Sequence, residues 1–193
     1  MTAIDLGGMA GYCTGGNSYA YTQGEGVSAS NWSVHLRFKA LAWPGAFTTL
    51  FDTANRHLSL FIETAGNVSF QSASLGGLDS VATGFAVNVW NTLTAVIDGT
   101  RTYGYVNGRQ ISSVAVRGDL GLSDDLVFGG NPSGGGSMPD IVYEHARLYD
   151  RSLSPNEVWT LDDPATRWDL YWVPGRRVYF DTGATSQRRF YLV

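Results

Sequence analysis

The chain has 193 residues, long enough for one sizeable core, and a single all-β sandwich of this length is ordinary. Its net charge of −4 is too small to suggest nucleic-acid binding for the whole chain, and no apolar run approaches a membrane span. With 24 glycines, 13% aromatics and almost no helix-period apolar pattern, the composition favours many short strands joined by tight turns over a helical domain.

In chain order, period-two alternation comes first in Leu58–Glu63 and Asn67–Gln71, with Ala65-Gly66-Asn67 between them as a hairpin signal. Phe85-Ala86-Val87-Asn88-Val89-Trp90 reads as a further alternating strand leading through Asn91 into the next. On this reading Trp32 and Trp90 face inward as core residues. The stretch Leu93–Ile111 holds two short apolar runs and the start of a third, divided by Asp98-Gly99 and Asn107-Gly108. Both dipeptides supply the positive φ that type I′ hairpin turns need, which predicts three antiparallel strands in a row. Pro139 precedes a strand over Ile141–Tyr149. Ser154-Pro155-Asn156-Glu157 then combines an N-cap serine, a proline at the first helical position and the glutamate of a capping box. This predicts a short helix over 155–161, which Asp162-Asp163-Pro164 stops because proline cannot continue the ladder. No repeat of solenoid length is present.

From Ala165 the character changes. Thr166–Phe180 packs Trp168, Tyr171, Trp172, Tyr179 and Phe180 together with Arg167, Arg176 and Arg177. Residues 1–163 carry 8 Arg or Lys against 15 Asp or Glu, whereas residues 164–193 carry 5 against 2, the last two arginines being Arg188 and Arg189. An acidic body with a basic, aromatic end divides the chain into a sandwich, 1–163, and a tail, 164–193, suited to docking.

The motifs carry a resemblance. The meander around Val96, Asp98-Gly99-Thr100 and Tyr105-Val106-Asn107-Gly108 resembles that of the laminin-G-like, concanavalin A-like jelly rolls. Gly16–Tyr21 is similar to the opening strand of that family, Trp32–Phe38 to its second, and Leu126–Gly130 to the strand after the meander. Tyr143–Ser154 lies over the family's I-D-E-V-R-I-Y-N-R-A-L-S and retains Arg147, Tyr149, Arg151, Leu153 and Ser154. Glu144 and His145 stand where the family has Asp and Glu. The resemblance covers about residues 12 to 163. It implies an all-β, two-sheet antiparallel jelly-roll sandwich. The run Thr166–Phe180 resembles an ending common in jelly-roll proteins of tailed bacteriophages, with Arg167 in place of the usual proline.

Relatives of this fold include glycoside hydrolases, whose chemistry needs two carboxylates facing one bond. No strand here carries such a pair: Glu25, Glu63, Glu144 and Glu157 are isolated, and the side chains of Asp124 and Asp125 diverge in an extended segment. His35, His57 and His145 sit in strand-like contexts without a matched nucleophile, and Ser133–Ser137 lacks the lysine and following helix of a phosphate loop. The resemblance also raises calcium at the sandwich rim, where Asp119, Asp124 and Asp125 share one loop, but no spaced acidic loop motif accompanies them. Sugar binding would draw on Trp43, Asn55, Arg56 and His57, an aromatic platform and polar donors in loop contexts.

The single cysteine, Cys13, excludes an intrachain disulfide. Met1–Gly8 has neither the basic nor the apolar region of a secretion signal, so synthesis in a cytoplasm is expected and Asn31-Trp32-Ser33 is read as a chance glycosylation pattern. The resulting expectation is a non-enzymatic virion protein of a tailed phage, made in the host cytoplasm, that decorates a capsid or accompanies a fibre. It would form homo-oligomers and dock on other virion proteins through Trp168, Tyr171, Trp172, Arg176, Arg177, Tyr179, Phe180, Arg188 and Arg189. No cofactor, nucleic acid or membrane is expected. The alternative is a carbohydrate-binding module on a particle or cell surface, and a third is a glycoside hydrolase.

Overall fold

The computed structural model describes residues 3–5, 12–13, 20–22, 31–42, 48–53, 58–63, 66–72, 77–81, 85–115, 126–128, 141–166, 179–180 and 190–191. In chain order the strands are β1 (Ala3–Asp5), β2 (Tyr12–Cys13), β3 (Ala20–Thr22), β4 (Asn31–Ala40), β5 (Thr48–Thr53), β6 (Ser59–Ile62), β7 (Val68–Ser72) and β8 (Gly77–Val81). They continue with β9 (Trp90–Asp98), β10 (Arg101–Val106), β11 (Arg109–Ala115), β12 (Leu126–Phe128) and β13 (Ile141–Tyr149). The helix α1 (Pro155–Asp162) comes next, and β14 (Tyr179–Phe180) and β15 (Phe190–Tyr191) follow it.

Two antiparallel sheets form a jelly-roll sandwich. The first runs β1-β13-β4-β9-β10-β11, with β2 also on β13, and the second runs β3-β12-β5-β6-β7-β8. Alternation sorts each strand between faces. In β4, Trp32, Val34, Leu36, Phe38 and Ala40 enter the shared core, while Ser33, His35, Arg37 and Lys39 take the opposite face. In β9, Leu93, Ala95 and Ile97 enter the same core and meet Leu60, Ile62, Val68 and Phe70 of the second sheet. A register shift in β5 between Thr49 and Phe51 brings the adjacent Leu50 and Phe51 both into the core, and Phe51 lies 6.5 Å from Trp32 between ring centroids. Tyr143 of β13 ties the layers together by donating to the Leu50 carbonyl at 2.8 Å.

The meander forms as its turn residues predict, with one difference. Asn107 and Gly108 both take positive φ, 47° and 73°, as a two-residue type I′ turn requires. At the other turn only Gly99 is positive, at 82°. There the Asp98 carboxylate accepts from Thr100 N at 2.9 Å and Arg101 N at 2.7 Å, so a side-chain-capped loop replaces the type I′ geometry. The hairpin at Gly66 and the strand over Ile141–Tyr149 also form where the sequence places them.

The segment 85–90 departs from its expected strand. Val87 and Asn88 form a turn, Asn88 takes φ 59° and donates to the Ala40 carbonyl at 2.7 Å, and β9 begins only at Trp90.

The helix has its expected cap. Ser154 Oγ accepts from Glu157 N at 3.3 Å, and Glu157 Oε2 accepts from Ser154 N at 2.8 Å. Leu153, Val158 and Leu161 pack on Val96, Tyr105 and Tyr149, so the helix covers part of the outer face of the first sheet. Ser33 anchors its approach by donating to the Arg151 carbonyl at 2.9 Å and accepting from Leu153 N at 3.0 Å. Thr92 holds its far end by donating to Asp162 at 2.6 Å. No helix among the described residues is long and apolar enough to cross a membrane.

Candidate functional site: the outer face of the first sheet

The outward residues of β4, β9 and β13 meet in a polar and aromatic layer. Its exposed part centres on Trp90. Counting back by twos from the inward Leu93 leads to Asn91, so Trp90 falls on the outer face, where it is 37% exposed. This corrects the expectation of a core residue. Trp32 lies fully buried, as expected. Alternation from the buried Phe85 gives the same face, so Trp90 is outward by period as well as by exposure, and the turn at Val87 and Asn88 precedes it. Asn91 fixes that turn by donating through Nδ2 to the Val89 carbonyl at 2.9 Å.

Across the ladder Lys39 pairs with Trp90 and Arg37 lies two residues back on the same face. The Lys39 ammonium sits 5.2 Å from the Trp90 ring centroid and the Arg37 guanidinium 5.5 Å, two cation–π contacts that brace one indole. Arg37 also forms an ion pair with Glu144. Val87 and Val89, 36% and 51% exposed, extend the apolar surface on the turn. An aromatic platform, two cations and a carboxylate therefore lie on one rigid sheet face.

Deeper on the same face, His35 stacks on His145 with centroids 5.3 Å apart and Arg147 lies beside them, 1% exposed. Burial first, then His145, Arg147 and Arg37, hold the His35 imidazole well below its ordinary value. Glu144, which stands where the family has Asp, is the ion-pair partner of Arg37.

Most sequence-predicted site residues lie outside the described residues: Trp43, Asn55, Arg56 and His57; Asp119, Asp124 and Asp125; and Trp168, Tyr171, Trp172, Arg176, Arg177, Arg188 and Arg189. Tyr179 and Phe180 form β14, which pairs with β15 as a separate two-stranded sheet. Among the described residues no group of three His, Cys, Asp or Glu side chains is placed to hold a metal ion.

Two-sheet topology, the register of the meander and the capped helix together define a lectin-like sandwich. The chain belongs to the concanavalin A-like lectin/glucanases superfamily, whose laminin G-type family model matches residues 14–159. No curated protein matches it in sequence.

Solved structures share the fold at low identity. Domain 4 of an extracellular GH43 arabinanase from Geobacillus stearothermophilus, in complex with arabinotriose, is 17% identical with a TM-score of 0.58, over 77% of this chain and 82% of that one. The CBM40 of the Ruminococcus gnavus IT-sialidase, bound to α2,3 sialyllactose, is 16% identical with a TM-score of 0.61, over 71% and 85%. A native heptameric SAP-like pentraxin from Limulus polyphemus is 17% identical with a TM-score of 0.57, over 76% of each chain. The chain also matches Trypanosoma rangeli sialidase, but spans only 23% of that protein's length.

Proposed function

We propose that this is a non-catalytic carbohydrate-binding domain whose ligand rests on Trp90. The observation that carries the reading is the exposed indole on the outer sheet face, braced by Lys39 and Arg37. An indole offers an apolar surface to the C–H face of a sugar ring, while lysine, arginine and carboxylate side chains bond its hydroxyls. The arabinotriose and sialyllactose complexes of the structurally similar domains support a sugar over the phage-particle reading, which draws no support from these similarities.

Catalysis is disfavoured by the occupations of six carboxylates among the described residues. Glu63 accepts from Ser69, Asp52 from Ser59, Asp98 from its own turn and Asp162 from Thr92, while Glu144 and Glu157 are paired with arginines. Each of these acids is committed to a structural contact, whereas hydrolysis needs two that face one bond.

The test is a glycan array read with the whole chain, followed by titration of Trp90→Ala on any sugar that binds. Loss of binding by a folded Trp90→Ala protein supports the site. Loss with Trp43→Ala instead would move it to the loop around Trp43. Absence of binding to every glycan would return the docking reading of residues 164–193 to first place, for which co-purification with phage heads or tails is the measurement.

A further inference from the structure

Beside Trp90 the outer face holds a buried layer that sugar binding does not use. His35 is fully buried and His145 is 4% exposed, with their ring planes 27° apart. His35 Nδ1 lies 2.8 Å from Thr94 Oγ1. The cross-strand register sets Arg147 against His35 and Arg37 against His145. Charged neighbours from β13 are therefore Arg147 and Glu144, and from β4 itself Arg37 and Lys39. On β9 the adjoining outward residues, Thr92 and Thr94, are uncharged, and the helix brings Asp162 to this face only at Thr92. Of the carboxylates that border the layer, Glu144 is paired with Arg37, and Asp5 of β1 stands opposite Arg147 in the register.

We infer that the stacked histidine pair makes this domain acid-sensitive, so that a proton arriving in the mildly acidic range loosens the outer layer that carries Trp90 and packs the helix.

The reason is charge density without water. A proton on His35 adds a cation beside Arg147 and Arg37, where burial denies it hydration. His35 therefore stays neutral in the folded chain below the pH at which the unfolded imidazole, near 6.5, takes its proton. A folded value below the unfolded one means full stability above about pH 6.5 and progressive loss as pH falls below it. With His35 held neutral, the unfolding constant rises up to about tenfold per pH unit.

Equilibrium urea unfolding of the whole chain between about pH 8 and about pH 5 tests this, because carboxylates with low values act below that window. The expected result is a steep fall in stability below about pH 6.5 that His35→Gln flattens, while the control His57→Gln keeps it. A flat profile in the unaltered chain, or an unchanged slope in His35→Gln, would overturn the inference. If His35→Gln fails to fold, imidazole NMR of the unaltered chain decides. A His35 resonance that stays neutral to about pH 5.5 supports the switch, and one that titrates near 6.5 sinks it. None of these outcomes depends on whether the domain binds sugar.

Discussion

Gly104 occupies a strand position where even a methyl group has no room. A Cβ there would overlap the Phe70 ring and the Ser112 hydroxyl, both of which belong to regular strands. Gly104→Ala should destabilise the domain by about 1–3 kcal/mol, visible as a lower urea midpoint with an unchanged slope. At Gly108 the obstacle is conformational, since its φ of 73° lies where side chains are strained, and an added methyl group would also stand 3.2 Å from Asp162 Cβ. Trp32→Ala removes a fully buried indole that meets Phe51 and should cost about 3–5 kcal/mol in the same measurement. A milder effect is expected at the surface. Lys39→Ala removes one of two cations from Trp90 and should leave melting almost unchanged, while weakening any sugar that rests on the ring.

The helix is held by its first turn more than by its length. Arg151 bonds both oxygens of Glu157, whose side chain also closes the capping box. The guanidinium hydrogen bond, with help from Ser154, holds Glu157 down at about 2 against an upward push from burial. Because the folded value lies below the unfolded 4.5, this contact contributes fully above about pH 4.5 and is lost as pH falls toward 2. Asp98 behaves alike: burial pushes it up, but hydrogen bonds from Thr100, Arg101 and Tyr103 outweigh that and hold it at about 2. Acid unfolding of Glu157→Gln should therefore show a shallower limb below pH 4.5 without losing the part due to Asp98, and Ser154→Ala should cost about 1 kcal/mol at neutral pH. These elements are legible in the sequence because their causes are local: a serine, a proline and a glutamate in four residues, or Asn-Gly between apolar runs. Trp90 is misread when its size and apolar character are taken as a sign of burial. The period counted forward from Phe85 or backward from Leu93 places it outward. The histidine pair is not legible, because only the register of β4 on β13 brings residues 35 and 145 together.

At the scale of the molecule, the two large sheets share one core while β14 and β15 pair only with each other. Deleting residues 182–193 removes β15 and should leave the melting temperature of the sandwich unchanged; a drop of several degrees would mean that the end of the chain helps to hold the core. Strand order also sets the timing of folding. The meander β9-β10-β11 pairs neighbours in sequence, as does the run β5-β6-β7-β8, so both can close as soon as their residues are made. The other half of the first sheet is different. There β4 has β13 on one side, and β1 meets β13 through Ala3 and Tyr149, so more than three-quarters of the chain must be synthesised before the opening strand finds its whole partner. Until then one side of β4 is an unpaired edge, the kind of template on which copies of an incomplete chain associate.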